Sequence, residues 1–131
     1  MGTFSKRFEH LADEIITSCE FMTIDMQKRV RAEHVMWDTG SNATIISSRL
    51  AKLLGEEVFG RGAMDGIGGA SEGNTYLLHV LLPTGDTMGY TEVIECDYGD
   101  YDAIIGMDII TKGDFHLDSI KGETVFTFTL P

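Results

Sequence analysis

The sequence predicts a small all-β domain, closed as a barrel or sandwich and carrying one or two short helices. Three observations lead there. Short runs rich in β-branched and aromatic residues recur along most of the chain. The turns between them are marked by glycine, of which the 131 residues contain 15. Helical signal is confined to two short stretches, and proline to Pro83 and Pro131. The length fits one domain over residues 1–131, since domains most often hold about 100–150 residues. Residues 1–12 are expected as a flexible N-terminus.

Residues 15–24, IITSCEFMTI, read as the first strand, and 30–37, VRAEHVMW, as a second that ends directly before Asp38. Ser47 or Ser48 is placed to N-cap a short helix SRLAKLL, stopped by Gly55. Residues 60–74, GRGAMDGIGGASEGN, contain six glycines and read as a mobile loop or hairpin tip. Residues 75–82, TYLLHVLL, are apolar throughout, which suits a strand covered on both faces. Strands are also expected over 87–96, TMGYTEVIEC, and 124–130, TVFTFTL. The last alternates, with Phe126 set on the other face from Val125. A second short helix is expected at Met107–Lys112, before Gly113.

Composition narrows the function. With 43% apolar and 24% charged residues the chain belongs with folded domains rather than disordered ones. A formal net charge of −11 repels a phosphate backbone and an anionic membrane surface alike, so neither nucleic acid nor membrane is an expected partner. No apolar run approaches the ~20 residues of a membrane-spanning helix. The N-terminus lacks the apolar core of a secretory signal, so a cytoplasmic location is expected. Cys19 and Cys96 form no metal-type pair. They read as two free thiols in a reducing compartment, or as one long-range disulfide. His10, His34, His79 and His116 share no ligand spacing. Asp97, Asp100 and Asp102 read as a solvated acidic turn rather than a calcium loop. No metal or other cofactor is expected.

The sharpest feature is Asp38-Thr39-Gly40 at the end of the strand VMW. Taken alone it is a turn after a strand. Its surroundings say more. Ser41-Asn42-Ala43-Thr44-Ile45-Ile46 and the first helix follow it. Gly66-Ile67-Gly68-Gly69 comes next, with Ile67 29 residues after Asp38. Ile104-Ile105-Gly106 comes later, with Gly106 68 residues after Asp38, and leads into the second helix and the closing strand. This order resembles the retropepsin-like aspartic proteases over residues 30 to about 120, and IIGMDIITKGDF is similar to the cellular and bacterial members in particular.

The resemblance implies a small closed β-barrel of the retropepsin (acid protease) type with a flap hairpin, and an aspartic endopeptidase acting on peptide or protein substrates. Hydrolysis without metal or covalent intermediate needs a water held between an acid and a base. Two carboxylates at short range cannot both ionise cheaply, so one keeps its proton while the other is ionised. The ionised member takes a proton from water, and the protonated one donates toward the scissile carbonyl. The chain has one Asp-Thr-Gly and no Asp-Ser-Gly, so the pair requires a two-fold homodimer with Asp38 from each protomer.

By the same resemblance Thr39 bonds the partner's loop and Gly40 lets the backbone pass close to substrate. Ser41 and Asn42, with Gly66, Ile67, Gly68 and Gly69 of the flap, contact substrate, and Ile104, Ile105 and Gly106 support the Asp38 loop from beneath. A Ser41 hydroxyl donating to the ionised carboxylate would lower its pKa and favour acidic pH; the other reading is a serine bonding its own loop. Asn42, Ala43 and Met107 stand where retroviral members carry two aspartates and an arginine, which reads as one missing ion pair. Trp37 is read as core packing or as substrate contact. The strand Val125–Leu130 is read as a dimer contact or as an internal core strand. The rival to the enzyme is a catalytically silent retropepsin-fold module that binds peptide or protein in its cleft. A third reading is a zymogen or polyprotein fragment, with the first ~12 residues as remnant.

Overall fold

The structure, a computed structural model, describes residues 2–66 and 69–131. In chain order the elements are β1 (Thr3–Phe8), β2 (Ile16–Thr23), β3 (Arg29–Trp37), β4 (Ile45–Ile46), α1 (Ser48–Leu54), β5 (Gly60–Gly66), β6 (Gly69–Leu81), β7 (Thr87–Glu95), β8 (Ala103–Ile105), α2 (Met107–Ile110), β9 (Asp114–Ile120) and β10 (Glu123–Thr129). The all-β expectation holds.

Six strands close a barrel in the order β2-β3-β8-β4-β7-β6, and β6 returns to β2 through Leu78–Leu81. β5 lies outside the closure and pairs along the far half of β6, from Gly60↔Thr75 to Gly66↔Gly69. The glycine-rich stretch is therefore a hairpin. A separate sheet, β1-β10-β9, covers the barrel.

Alternation explains the inward faces. Thr17, Cys19, Phe21 and Thr23 on β2 are buried while their neighbours are half-exposed. On β10 the buried face is Thr124, Phe126 and Phe128, continued by Leu130, with Val125 half-exposed. Phe126 thus belongs to the core face and Val125 is the residue on the other side. Residues 75–82 are covered on both faces as expected: Tyr76, Leu78, Val80 and Leu82 are buried, and so are Thr75 and His79.

Helix α1 begins at Ser47, whose hydroxyl accepts from the Leu50 N–H at 3.1 Å. It ends at Gly55, which adopts φ 66° and donates to Ala51 O at 2.9 Å. Its Leu50, Ala51 and Leu54 enter the core. Helix α2 is shorter than expected. Gly106 offers no side-chain cap, and Thr111 and Lys112 lie in the turn that closes it, the Thr111 hydroxyl donating to Met107 O at 2.7 Å.

Three strands stand where the sequence predicts none. β1 forms within the expected flexible N-terminus, held to β10 from Thr3↔Thr129 to Phe8↔Thr124. β4 and β9 are the others. β10 is consequently a central strand, with β1 on one edge and β9 on the other. Its Phe126 and Phe128 are fully buried, which is the internal core strand of the two readings given for Val125–Leu130.

Trp37 joins the two sheets. Its ring centroid lies 4.9 Å from Phe128, 5.1 Å from Phe126 and 6.5 Å from Phe115. The indole N–H donates to the Thr17 hydroxyl at 2.9 Å, so the one polar atom of the ring is satisfied inside the core. Trp37 is packed in the core, and one side of it also lines the cavity beside Asp38. Cys19 and Cys96 are both free thiols. Burial pushes the Cys19 thiol up to about 12.

Candidate active site

β8 lies between β3 and β4. It runs parallel to β3, with Met36↔Ile104 and Trp37↔Ile105, and antiparallel to β4, with Ile45↔Ile104. The loop 38–44 leaves β3 and enters β4, so both of its ends are held by the same short strand. Ile105 points into the main core and Ile104 to the opposite face, where it packs with Ile45, Ile94 and Met64.

Within the loop the chain turns tightly. The Asp38 N–H donates to Ile105 O at 2.9 Å, and the Ser41 N–H to Asp38 O at 3.2 Å. The Gly40 N–H donates to Asp38 Oδ1 at 2.8 Å, the one hydrogen bond to this carboxylate among the described residues. Asp38 is half-buried, and Thr39 and Gly40 are exposed. Gly106 presses against the far side of the loop. A Cβ there would lie 2.4 Å from Ala43 O and 2.9 Å from Ser41 O, so backbone meets backbone. The Met107 N–H donates to Ser41 O at 2.7 Å.

The Ser41 side chain follows the second of its two readings, a serine that bonds its own loop. Its hydroxyl donates to Ala43 O at 2.8 Å, not to Asp38, and the residue is 2% exposed. A hydroxyl has one proton to give, and the local carbonyl takes it. Ser41 shapes the loop from inside and presents no side chain to substrate in the single chain. Asn42 is exposed. Gly66 and Gly69 face each other at the described end of the β5–β6 hairpin. Ile67 and Gly68, expected at its tip, lie outside the described residues.

Asp38 opens into a cavity of about 270 Å³ lined with it by Thr39, Met36, Glu14, Phe115 and Leu117. Met36 also packs against the cluster of Ile45, Met64, Ile94 and Ile104, as do Ala43, Tyr98 and Tyr101. An apolar surface therefore runs from the carboxylate to the β5–β6 hairpin, which contributes Met64. The Tyr101 hydroxyl donates to Glu14, and the acceptor carboxylate holds the phenol up to about 12. Phe115, Leu117 and Glu14 carry no motif; only pairing and packing bring them to Asp38. Asp108 is the other residue the motifs do not reveal. It links loop and helix, accepting from the Thr44 N–H and hydroxyl.

Among the described residues no group of three or more His, Cys, Asp or Glu could hold a metal ion. Asp97 instead accepts from the N–H and hydroxyl of Ser48 at 2.9 and 3.0 Å, and Asp102 from the His34 N–H at 3.1 Å. Among them, too, no helix is long and apolar enough to cross a membrane.

The chain is similar to the crystal structure of a retropepsin-like aspartic protease from Rickettsia conorii. The TM-score is 0.57 and the identity 11%, and the match covers 96% of this chain and 90% of that one. No protein-family model and no curated protein matches the sequence. The likeness establishes the fold: a closed barrel, two short helices and the connectivity of the retropepsin-like type.

Proposed function

We propose that this chain of retropepsin-like fold is an aspartic endopeptidase, active as a homodimer in which two Asp38 carboxylates hold and activate one water. The observation that carries the reading is the Asp38 turn itself. Its backbone is held by Ile105, one carboxylate oxygen is oriented by Gly40, and the side chain opens into a cavity. Such preorganisation suits a group that must meet its twin at short range.

One chain supplies one such carboxylate, so the second comes from a second copy. The pair shares a proton and titrates as a unit. Thr39 and Gly40, exposed beside Asp38, are positioned to meet the partner loop and the substrate backbone. Asn42 and the hairpin around Gly66–Gly69 form the substrate-facing rim and the closing flap. Ile104, Ile105 and Gly106 hold the loop.

The free edge of β9 is the contact we assign to the dimer. β10 is occupied on both edges, whereas among the described residues β9 is paired on one only. Leu117 on β9 is 47% exposed and lines the Asp38 cavity. Pairing β9 with its symmetry mate puts the two cavities beside the axis and covers an exposed strand edge. The free thiols of Cys19 and Cys96 suit a reducing, cytoplasmic setting.

The test is cleavage of a diverse peptide mixture, read by mass spectrometry from acidic to neutral pH, with Asp38→Asn alongside. Site-selective cuts by the parent only are expected. No cuts at any pH from a verified dimer would overturn the enzyme and leave a peptide-binding module.

A further inference from the structure

A second concave site lies away from Asp38, at a seam in the barrel wall. β6 pairs with β5 as far as Thr75 and with β2 from Leu78 onward. Between those partners lies the segment 56–59, which belongs to no helix or strand. Its Phe59 N–H donates to Thr75 O at 2.7 Å, and Glu56 Oε2 accepts from the Ile24 N–H at 3.1 Å. The seam holds a cavity of about 170 Å³ lined by Ile24, Leu77, Val58, Phe59, Glu56 and Glu57. None of these residues lines the Asp38 cavity.

Two features of this site are unusual for a bare surface. Val58 and Phe59 are consecutive, large and apolar, yet 54% and 60% exposed, on a segment tied down by one backbone hydrogen bond and the Glu56 side chain. The rim is acidic. Glu57 is exposed, and Asp25 follows Ile24 in the adjoining turn. The Thr23 hydroxyl and the Gln27 N–H hold the Asp25 carboxyl below its ordinary range, so it is charged throughout the neutral region.

We propose that this seam docks a basic, apolar-anchored segment of another protein, with one Leu or Phe side chain in the cavity and flanking Lys or Arg facing Glu57 and Asp25. The cavity has the size of one large side chain. The acidic rim, on a chain of net charge −11, selects a cationic partner. An exposed apolar pair beside a concavity gives the burial that holds such a segment, and the charges give its orientation. The site is independent of the catalytic reading.

The experiment titrates the full chain, carrying Asp38→Asn so that nothing is cut, into the fluorescein-labelled peptide Lys-Arg-Gly-Leu-Phe-Gly-Arg-Lys. Anisotropy is read at two salt concentrations. Binding is expected. It should weaken at least about tenfold in the Val58→Ser/Phe59→Ser double variant and when Leu-Phe of the peptide is replaced by Ser-Ser. Added salt and Glu57→Lys should weaken it too, and a peptide with Glu in place of Lys and Arg should not bind. Equal binding by the parent and the double variant overturns the proposal, as does no binding at all. Self-association of the parent that the double variant abolishes overturns it in favour of a second copy. Both substituted side chains are more than half exposed, so the variants test the surface without emptying the core.

Discussion

Asp108, the second residue of α2, accepts two hydrogen bonds from Thr44, one from its hydroxyl at 2.8 Å and one from its N–H at 3.1 Å. Thr44 is fully buried at the end of the Asp38 loop. Its hydroxyl oxygen in turn accepts from the Gly106 N–H at 3.3 Å. Loop, β8 and α2 are thereby joined through one threonine. Thr44→Val preserves shape and removes the hydroxyl. It is expected to cost about 1–3 kcal/mol, the range for a lost hydrogen bond to a charged group. Denaturant unfolding measures it, and a double-mutant cycle with Asp108→Ala should show coupling. Additive effects would mean that the two residues act separately.

Gly106→Ala should be among the most damaging single methyl additions. The new Cβ would meet Ala43 O at 2.4 Å and Ser41 O at 2.9 Å, both backbone atoms that cannot rotate away. Overpacking of this kind costs about 1–3 kcal/mol or more. The urea midpoint should fall, and peptide cleavage should fall further than stability alone explains, because the displaced atoms belong to the Asp38 loop. A variant with parental stability would contradict the observed approach.

Stability should decline in alkali. Burial raises the Cys19 thiol from 9.0 to about 12. The hydrogen bond to Glu14 raises Tyr101 to about 12, and the hydrogen bond to Glu95 raises Tyr76. In each case the fold favours the protonated form. That contribution is complete below the unfolded-state values, near 9 for Cys and 10 for Tyr. It is lost as pH rises from there through the folded values. Denaturation midpoints from pH 7 to 12 should therefore fall from about pH 9 upward. Absorbance at 295 nm should show Tyr76 and Tyr101 ionising late, and a flat stability profile to pH 12 would refute the assignment.

Leu117→Lys tests the β9 edge. The side chain is 47% exposed in the single chain, so the fold should tolerate the change. In a β9–β9 dimer two like charges would face each other beside the axis. Sedimentation should show monomer at concentrations where the parent is dimeric, with peptide cleavage lost in parallel. Parental association should strengthen with salt, because each copy carries −11. An active, dimeric Leu117→Lys protein would move the interface elsewhere.

Local rules read well where local physics dominates. α1 runs between Ser47 and Gly55 as its caps require, because a hydroxyl acceptor and a left-handed glycine act within one turn. The Asp-Thr-Gly turn and the Ile-Ile-Gly strand stand out for the same reason. β1 and β9 do not. Residues 114–120, DFHLDSI, alternate only over 114–118 and are rich in residues that strands disfavour, and their strand exists because β10 supplies the partner. The Ser41 hydroxyl has two readings in the sequence, and the loop's backbone path selects Ala43 O.

The sequence by itself determined that the chain is all-β, that α1 lies between its caps, that Asp38 sits on a turn after a strand, and that one chain carries one such aspartate. These follow from side-chain type, spacing and charge. Only the tertiary structure decided that Trp37 is the joint between the sheets, that Asp108 holds the Asp38 loop, that β10 is central and β9 the free edge, and that Val58 and Phe59 stand exposed at a seam. Each depends on which distant segments pair. More than sixty residues separate Thr44 from Asp108 and more than ninety separate Trp37 from Phe128. Pairing over such separations is set by the packing of the whole core, which no local pattern encodes.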